Sequence, residues 1–364
     1  MKRPDYLLIS TVFFLLVIGI IVLMSVSAAI AQDKFNSPSF YLLRHIGFGL
    51  LPGVLLGFVA YKFSLERLKK MAPLLLALNL VLMVLVFLPV IGLTLGGASS
   101  WINLGKITFQ PSEILKLTFI LYLASWLTGR MEKDKKETIK TLTAFVVILV
   151  LIAFLLILQP DVGTLGILIL IAITMYFLAR TPLKHTFFIV FGVLSSLGLV
   201  ILVAPYRLNR LLTFIKPDIE PLGIGYQIKQ ALIAVGSGGI LGRGLGMSVQ
   251  RFGFLPQPMA DSIFAAFSEE TGFVGALTLL ILFTVFTWLG FSVAKKAKDN
   301  FQKLTAIGIT TWLMLQALIN IGSMIRLVPL TGVPLPFISY GGSALLSELL
   351  AVGILLNISK NNAS

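Results

Sequence analysis

The 364-residue sequence contains no cysteine and only two histidines. Without thiols the chain forms no disulfide and carries no cysteine nucleophile or thiolate metal ligand. His45 and His185 stand far apart, and neither has a second histidine at metal-ligand spacing. Both read as polar residues at helix ends. Charge is scarce too: 12% of residues are Asp, Glu, Lys or Arg, and carboxylates are the rarer sign, 15 against 29 basic side chains. There is no heptad array and no low-complexity tract. The sole charge run, 129–140, reads as a solvated loop.

What fills the chain instead is apolar. Hydrophobic residues make up 57% and the mean hydropathy is +0.98. No single water-facing core of this size uses that much apolar surface, so the solvent is lipid. Apolar runs of spanning length occur at 7–31, 45–61, 72–92, 112–128, 141–158, 162–179, 186–204, 262–294, 304–326 and 343–358, which predicts ten transmembrane helices. The 262–294 run exceeds what a bilayer requires and is expected to tilt or project. Gln159-Pro160-Asp161 breaks a long apolar block into two helices. Lys2-Arg3 and the Ala29-Ile30-Ala31 triplet mimic a secretory signal, but the run between them is too long, and it reads as a retained first helix. The expected fold is all-α and polytopic, a single transmembrane domain over 1–364.

The distribution of basic residues orients it. With the N-terminus inside, eighteen Lys and Arg fall on inner segments, four on short outer loops and six in the long 205–260 loop. That bias predicts both termini in the cytoplasm and the long loop outside. The net charge of +14 is therefore read as lipid-facing loops, not as a nucleic-acid surface.

Ionisable residues inside spans cost about 2.5–3.5 kcal/mol each and are the default functional candidates. Here they are Glu113, Lys116, Glu269, Glu270 and Glu348, all in the outer halves of their helices. Glu113 and Lys116 share a helix face, as a structural ion pair or as part of a site. The 205–260 loop is basic and holds six glycines between Gly236 and Gly246, a flexible linker or a backbone that presents N–H groups to an anion. With Arg207, Arg210, Lys229, Arg243 and Arg251 it suits a phosphate-bearing ligand. Asp261 stands where this loop meets a membrane helix. It is either an N-cap or a base whose pKa is raised by apolar surroundings.

FQPSE (109–113) after Trp101, LQPDVGT (158–164), YRLNRLLTFIKPD (206–218), GYQ (225–227), GSGGILGRGLGMSVQ (236–250), LPQPMADSIFA (255–265), EETG (269–272) and PLTGVPLPFISYGGS (329–343) occur in this order. Together they closely resemble the SEDS family of bacterial membrane glycosyltransferases, the RodA/FtsW proteins, and PMADSIFA is more FtsW-like than RodA-like. The resemblance implies a ten-helix protein of the bacterial cytoplasmic membrane. It implies polymerisation of lipid II into glycan strands, with a class B penicillin-binding protein and divisome membrane proteins as partners. A precursor flippase and an elongation-type polymerase are the alternatives. Asp261 matches the family's essential aspartate; Glu113, Lys116, Arg207 and Arg210 match functional positions. Trp101, Gln227 and Arg243 fall in the matching motifs and are expected at the substrate. Gln257 stands where the family commonly has Glu, and Ser99-Ser100 precede Trp101 where many members have Arg. No cofactor and no metal-ligand cluster is visible in the sequence. A divalent cation at the pyrophosphate is left open.

Overall fold

The computed structural model describes residues 4–95, 98–103, 105, 108–131, 138–179, 181–203, 205–220, 223–249 and 253–362. Each of the ten apolar runs falls on a helix. In chain order these are α1 (Tyr6–Phe35), α2 (Phe40–Lys62), α3 (Leu65–Leu85), α4 (Pro111–Met131), α5 (Thr138–Leu158), α6 (Val162–Leu178) and α7 (Leu183–Val203). Then follow α8 (Pro205–Ile215), α9 (Ile224–Ser237), α10 (Ile263–Lys295), α11 (Asn300–Met324) and α12 (Gly342–Asn362). Among the described residues six helices (α1, α2, α3, α10, α11 and α12) are long and apolar enough to cross a membrane.

The core lies around α11, which packs against α4, α6, α9, α10 and α12. Lipid-type exposure is carried by the rest: Phe13, Leu55, Leu74, Phe154 and Trp288 all point outward. The most extensive helix pair is α2 with α12. Small residues permit it. A Cβ on Gly57 would lie 2.7 Å from the Leu349 carbonyl oxygen, and one on Gly353 would lie 2.1 Å from that of Gly57. Backbones in such contact gain packing that lipid cannot supply. Near its start α2 contains a π-helical turn, Ile46–Leu50. Bulges of this kind often mark functional sites.

Four expectations need correction. The fold is not purely helical: β1 (Gly92–Leu95), β2 (Ala98–Asn103) and β3 (Thr108–Phe109) form a small antiparallel sheet between α3 and α4. The apolar run at 72–92 ends as helix at Leu85, because its last residues turn into that sheet. The 205–260 segment is not one loop, since α8 and α9 occupy much of it. Finally, the 262–294 run is not one continuous helix: Gly272 adopts φ 67°, ψ −163° and breaks α10 after Thr271.

The break explains the glycine-rich loop. Arg243 and Gly244 N–H donate to the carbonyls of Glu269 and Glu270 at 3.0 Å, while Phe273 and Val274 N–H donate to Gly239 and Ile240 at 2.9 and 3.1 Å. The loop therefore exchanges backbone hydrogen bonds with both sides of the break in the helix. Gly242 sits at φ 81°, and a Cβ there would lie 2.2 Å from the Glu270 carbonyl oxygen. Gly238 and Gly242 thus serve close backbone contact, whereas a Cβ on Gly236, Gly239 or Gly246 would meet open space. Side chains finish the seam: Ser248 Oγ donates to Glu269 at 2.5 Å, and Ser25 of α1 donates to Glu270 at 2.6 Å.

Candidate active site

Six parts of the chain converge on an open cleft of about 580 Å³. The start of α2 contributes Tyr41, Arg44 and His45; β2 contributes Trp101; the α5–α6 turn contributes Asp161. Arg210 comes from α8, Gln257 and Asp261 from the turn before α10, and Gly332 and Tyr340 from the segment between α11 and α12.

The turn that carries Asp261 is fixed from three sides. Gln257, at φ 49°, accepts from Ala260 and Ser262 N–H at 3.0 and 3.3 Å. Asn320 of α11 donates through Nδ2 to the carbonyls of Asp261 and Val333, both at 2.8 Å. Ser339 Oγ donates to Ala260 O at 2.6 Å, and Tyr340 N–H donates to Met259 O at 2.8 Å. Every backbone group in a dry turn needs a partner, and these bonds meet that need.

The Asp261 side chain is 8% exposed. Oδ2 accepts from Gln227 Nε2 at 3.3 Å, and the same nitrogen donates to Ser262 Oγ at 2.9 Å. Oδ1 is buried without a hydrogen-bond partner. Asp261 is not a cap: the residue before α10 is Ser262, whose side chain makes no capping bond. Asp161, the other carboxylate of the cleft, is fully engaged. Its Oδ1 accepts from Thr164 N–H at 3.1 Å as the N-cap of α6, and its Oδ2 accepts from Ser112 Oγ at 3.0 Å. Burial pushes the Asp261 pKa above the ordinary aspartate range; the Gln227 bond, the nearby backbone N–H dipoles and the charge of Arg210 offset this only in part.

Of the residues expected at a substrate, Trp101 and Arg210 line the cleft with Asp261, and Gln227 touches its carboxylate. Arg207 belongs to α8, but its side chain lies outside the described residues. Arg243 lies elsewhere, 3.4 Å from Glu269, where it closes the seam of the glycine-rich loop. Glu113 and Lys116 do not line the cleft. They form a buried ion pair at 2.8 Å, and Lys116 Nζ also donates to Gln316 Oε1 at 2.8 Å. Gln316 passes the network to Glu348 at 3.2 Å and to Pro334 O at 3.1 Å. Glu348 in turn accepts from Phe337 N–H at 2.8 Å. The network thus braces the 334–337 segment behind the cleft.

Arg44, Tyr41 and Tyr340 carry no distinct signal in the sequence. Arg44 lies one residue before the apolar run of α2 and reads there as one more loop charge; Tyr340 lies inside PLTGVPLPFISYGGS. Its ring meets Tyr41 edge-on at 5.4 Å and His45 at 5.7 Å, which makes one wall of the cleft aromatic.

Comparison with known proteins agrees with this architecture. The family model described as "Cell cycle protein" (FtsW, RodA, SpoVE) matches residues 6–364. The stage V sporulation protein E of Bacillus subtilis is 41% identical over 361 residues, covering 98% of this chain and 97% of that protein. A probable peptidoglycan glycosyltransferase FtsW of Coxiella burnetii is 37% identical, over 94% of this chain and 93% of its own. Among solved structures, one of a peptidoglycan synthase complex, on the coordination of polymerization and crosslinking, superposes with a TM-score of 0.81 at 26% identity, covering 99% of this chain and 98% of the other. Thermus thermophilus RodA, a rod shape determining protein, gives 0.71 at 25% identity, covering 99% and 97%. With its whole helical frame and nearly its whole length accounted for, the chain belongs to the FtsW/RodA/SpoVE family of cell cycle proteins.

Proposed function

We propose that the chain is a peptidoglycan glycosyltransferase of the bacterial cytoplasmic membrane that polymerises lipid II at the outer face during cell division. It is one transmembrane domain over 1–364 with ten spans and both termini inside. The helix on every apolar run and the inward bias of Lys and Arg support that topology. The observation that carries the function is Asp261 Oδ1, a buried carboxylate oxygen without a partner in a cleft that also holds Arg210 and Arg44.

In an inverting transfer the acceptor sugar 4-hydroxyl gives its proton to Asp261. Its oxygen then bonds to the donor anomeric carbon, and the bond from that carbon to the lipid pyrophosphate breaks. The electron pair leaves with the pyrophosphate, whose charge needs cations nearby. Arg210, Arg44 and Arg207 supply them, Gln227 positions the carboxylate, and Trp101 and Tyr340 offer flat apolar faces to a sugar. Glu113 and Lys116 act from behind, through Gln316 and Glu348. The partner is a class B penicillin-binding protein, as the likeness to a peptidoglycan synthase complex supports. Further divisome membrane proteins complete the assembly.

The test is glycan polymerisation from lipid II by the full chain purified with its class B partner. Asp261→Asn is expected to lower the rate by about 10²–10⁴-fold. Full activity in that variant removes Asp261 from the chemistry. Lipid II scrambling across liposomes without any polymer assigns a flippase instead. The 41% identity to a stage V sporulation protein E favours a second reading of the process, wall synthesis in sporulation, by the same chemistry.

A further inference from the structure

At the ends of α2 and α12 opposite the Asp261 cleft lie two more concavities, of about 580 and 390 Å³, which share Leu65, Glu66 and Gln302. They run from the α2–α3 turn across the start of α11 to the end of α12. Lys62, Lys69, Lys70, Lys298 and Lys360 line them, against two carboxylates, Glu66 and Asp299. Among the described residues none of these lysines has a carboxylate within ion-pair distance. Two of them are steadied by rings instead: Lys62 over Phe58 at 4.3 Å and Lys360 over Tyr61 at 4.8 Å.

The walls are built rather than loose. Asn357 Nδ2 donates to the carbonyls of Ala60 and Phe63 at 2.9 and 2.6 Å and locks the α2–α3 turn to α12. Ser125 Oγ donates to Lys69 O at 3.0 Å and ties α3 to α4. At the junction of the two concavities, Gln302 Oε1 is buried with no donor, while its Nε2 is bound to Asp299 at 2.5 Å. An orphaned acceptor beside uncompensated ammonium groups has a clear complement. It is an anion that also carries hydroxyl groups.

We propose that these joined concavities bind the headgroup of an anionic, hydroxyl-bearing phospholipid of the glycerophosphate class. The phosphate lies among Lys69, Lys70 and Lys298, and a headgroup hydroxyl donates to Gln302 Oε1. A soluble glycerophosphate offers the same chemistry. Met71 and Leu74, 40% and 56% exposed beside Lys70, provide an apolar surface for acyl chains and commit the site to the lipid. Under the topology proposed above this is the inner leaflet, whose anionic lipids attract clustered lysines.

The experiment is native mass spectrometry of the full-length protein in detergent, titrated with dioctanoyl-phosphatidylglycerol. Dioctanoyl-phosphatidylcholine, dioctanoyl-phosphatidic acid and free glycerol 3-phosphate are the comparison ligands. Retention of phosphatidylglycerol over phosphatidylcholine is expected. Affinity should fall about a hundredfold in Lys69→Gln/Lys70→Gln/Lys298→Gln and stay unchanged in Lys184→Gln/Lys295→Gln/Lys296→Gln, which loses the same charge elsewhere. Gln302→Leu should erase the preference for phosphatidylglycerol over phosphatidic acid. An equal loss in both triple variants overturns the site, as does equal retention of phosphatidylcholine. Glycerol 3-phosphate binding as tightly as the lipid overturns the lipid assignment.

Discussion

Asp261 combines burial, an unpaired oxygen and nearby cations in one residue. A general base must be ionised, and burial holds this carboxylate protonated to higher pH than an exposed aspartate. Polymerisation is therefore expected to fall on the acidic side with a midpoint above the ordinary aspartate range, and a pH–rate profile with saturating lipid II reads it. The same shift costs stability. The native state binds the proton more tightly than the unfolded chain, so stability is greatest below both pKa values and declines as pH rises through them. Above that window Asp261→Asn should raise the Tm by roughly 2 °C in detergent while abolishing activity. A drop in Tm at neutral pH would show that the carboxylate is structural. The sequence announced this residue, because a lone acid at a loop–helix junction stands out in an apolar chain. It could not show whether Asp261 caps the helix, since that depends on where Ser262 lies.

At the scale of elements, the helices were legible because hydropathy alone marks them. The sheet was not, because Gly92–Leu95 is too short and too apolar to be told from the end of a span. Nor were α8 and α9, whose mixed composition resembles a polar loop. The pairing of the glycine-rich loop with the broken α10 depends on contacts some thirty residues apart and leaves no local periodic signal. It makes a sharp prediction. Gly242→Ala and Gly272→Ala each force a Cβ to about 2.2–2.3 Å from backbone atoms of the opposing segment at positive φ. Each should cost about 3 kcal/mol. Gly239→Ala, also at positive φ but facing open space, should cost only about 1 kcal/mol. Thermal denaturation of the three variants ranks them. Equal costs would mean that the pairing is not rigid.

At the scale of the molecule, the Glu113–Lys116–Gln316–Glu348 network links α4, α11 and α12 beneath the cleft. Removing one ion strands the other. Lys116→Met alone is expected to lose about 3–5 kcal/mol, and Lys116→Met/Glu113→Gln to recover most of it. If these residues only brace the site, the double variant keeps measurable polymerisation. A stable but inactive double variant would instead place Lys116 at the substrate. The sequence showed that the pair exists, by its spacing. Its distance from the cleft followed only from the packing of α11.

The bonds that hold the Asp261 turn in place reach Asn320, 59 residues beyond Asp261, and Ser339, 79 residues beyond Ala260. Biosynthesis runs from the N-terminus, so the carboxylate is made long before Ser339 and Tyr340, which complete the turn that carries it. A chain stopped after Met324 would enter the bilayer with its base, arginines and tryptophan present, yet form no polymer even beside its partner. Activity is thus deferred to the last helix, and an unfinished chain in the membrane builds no wall.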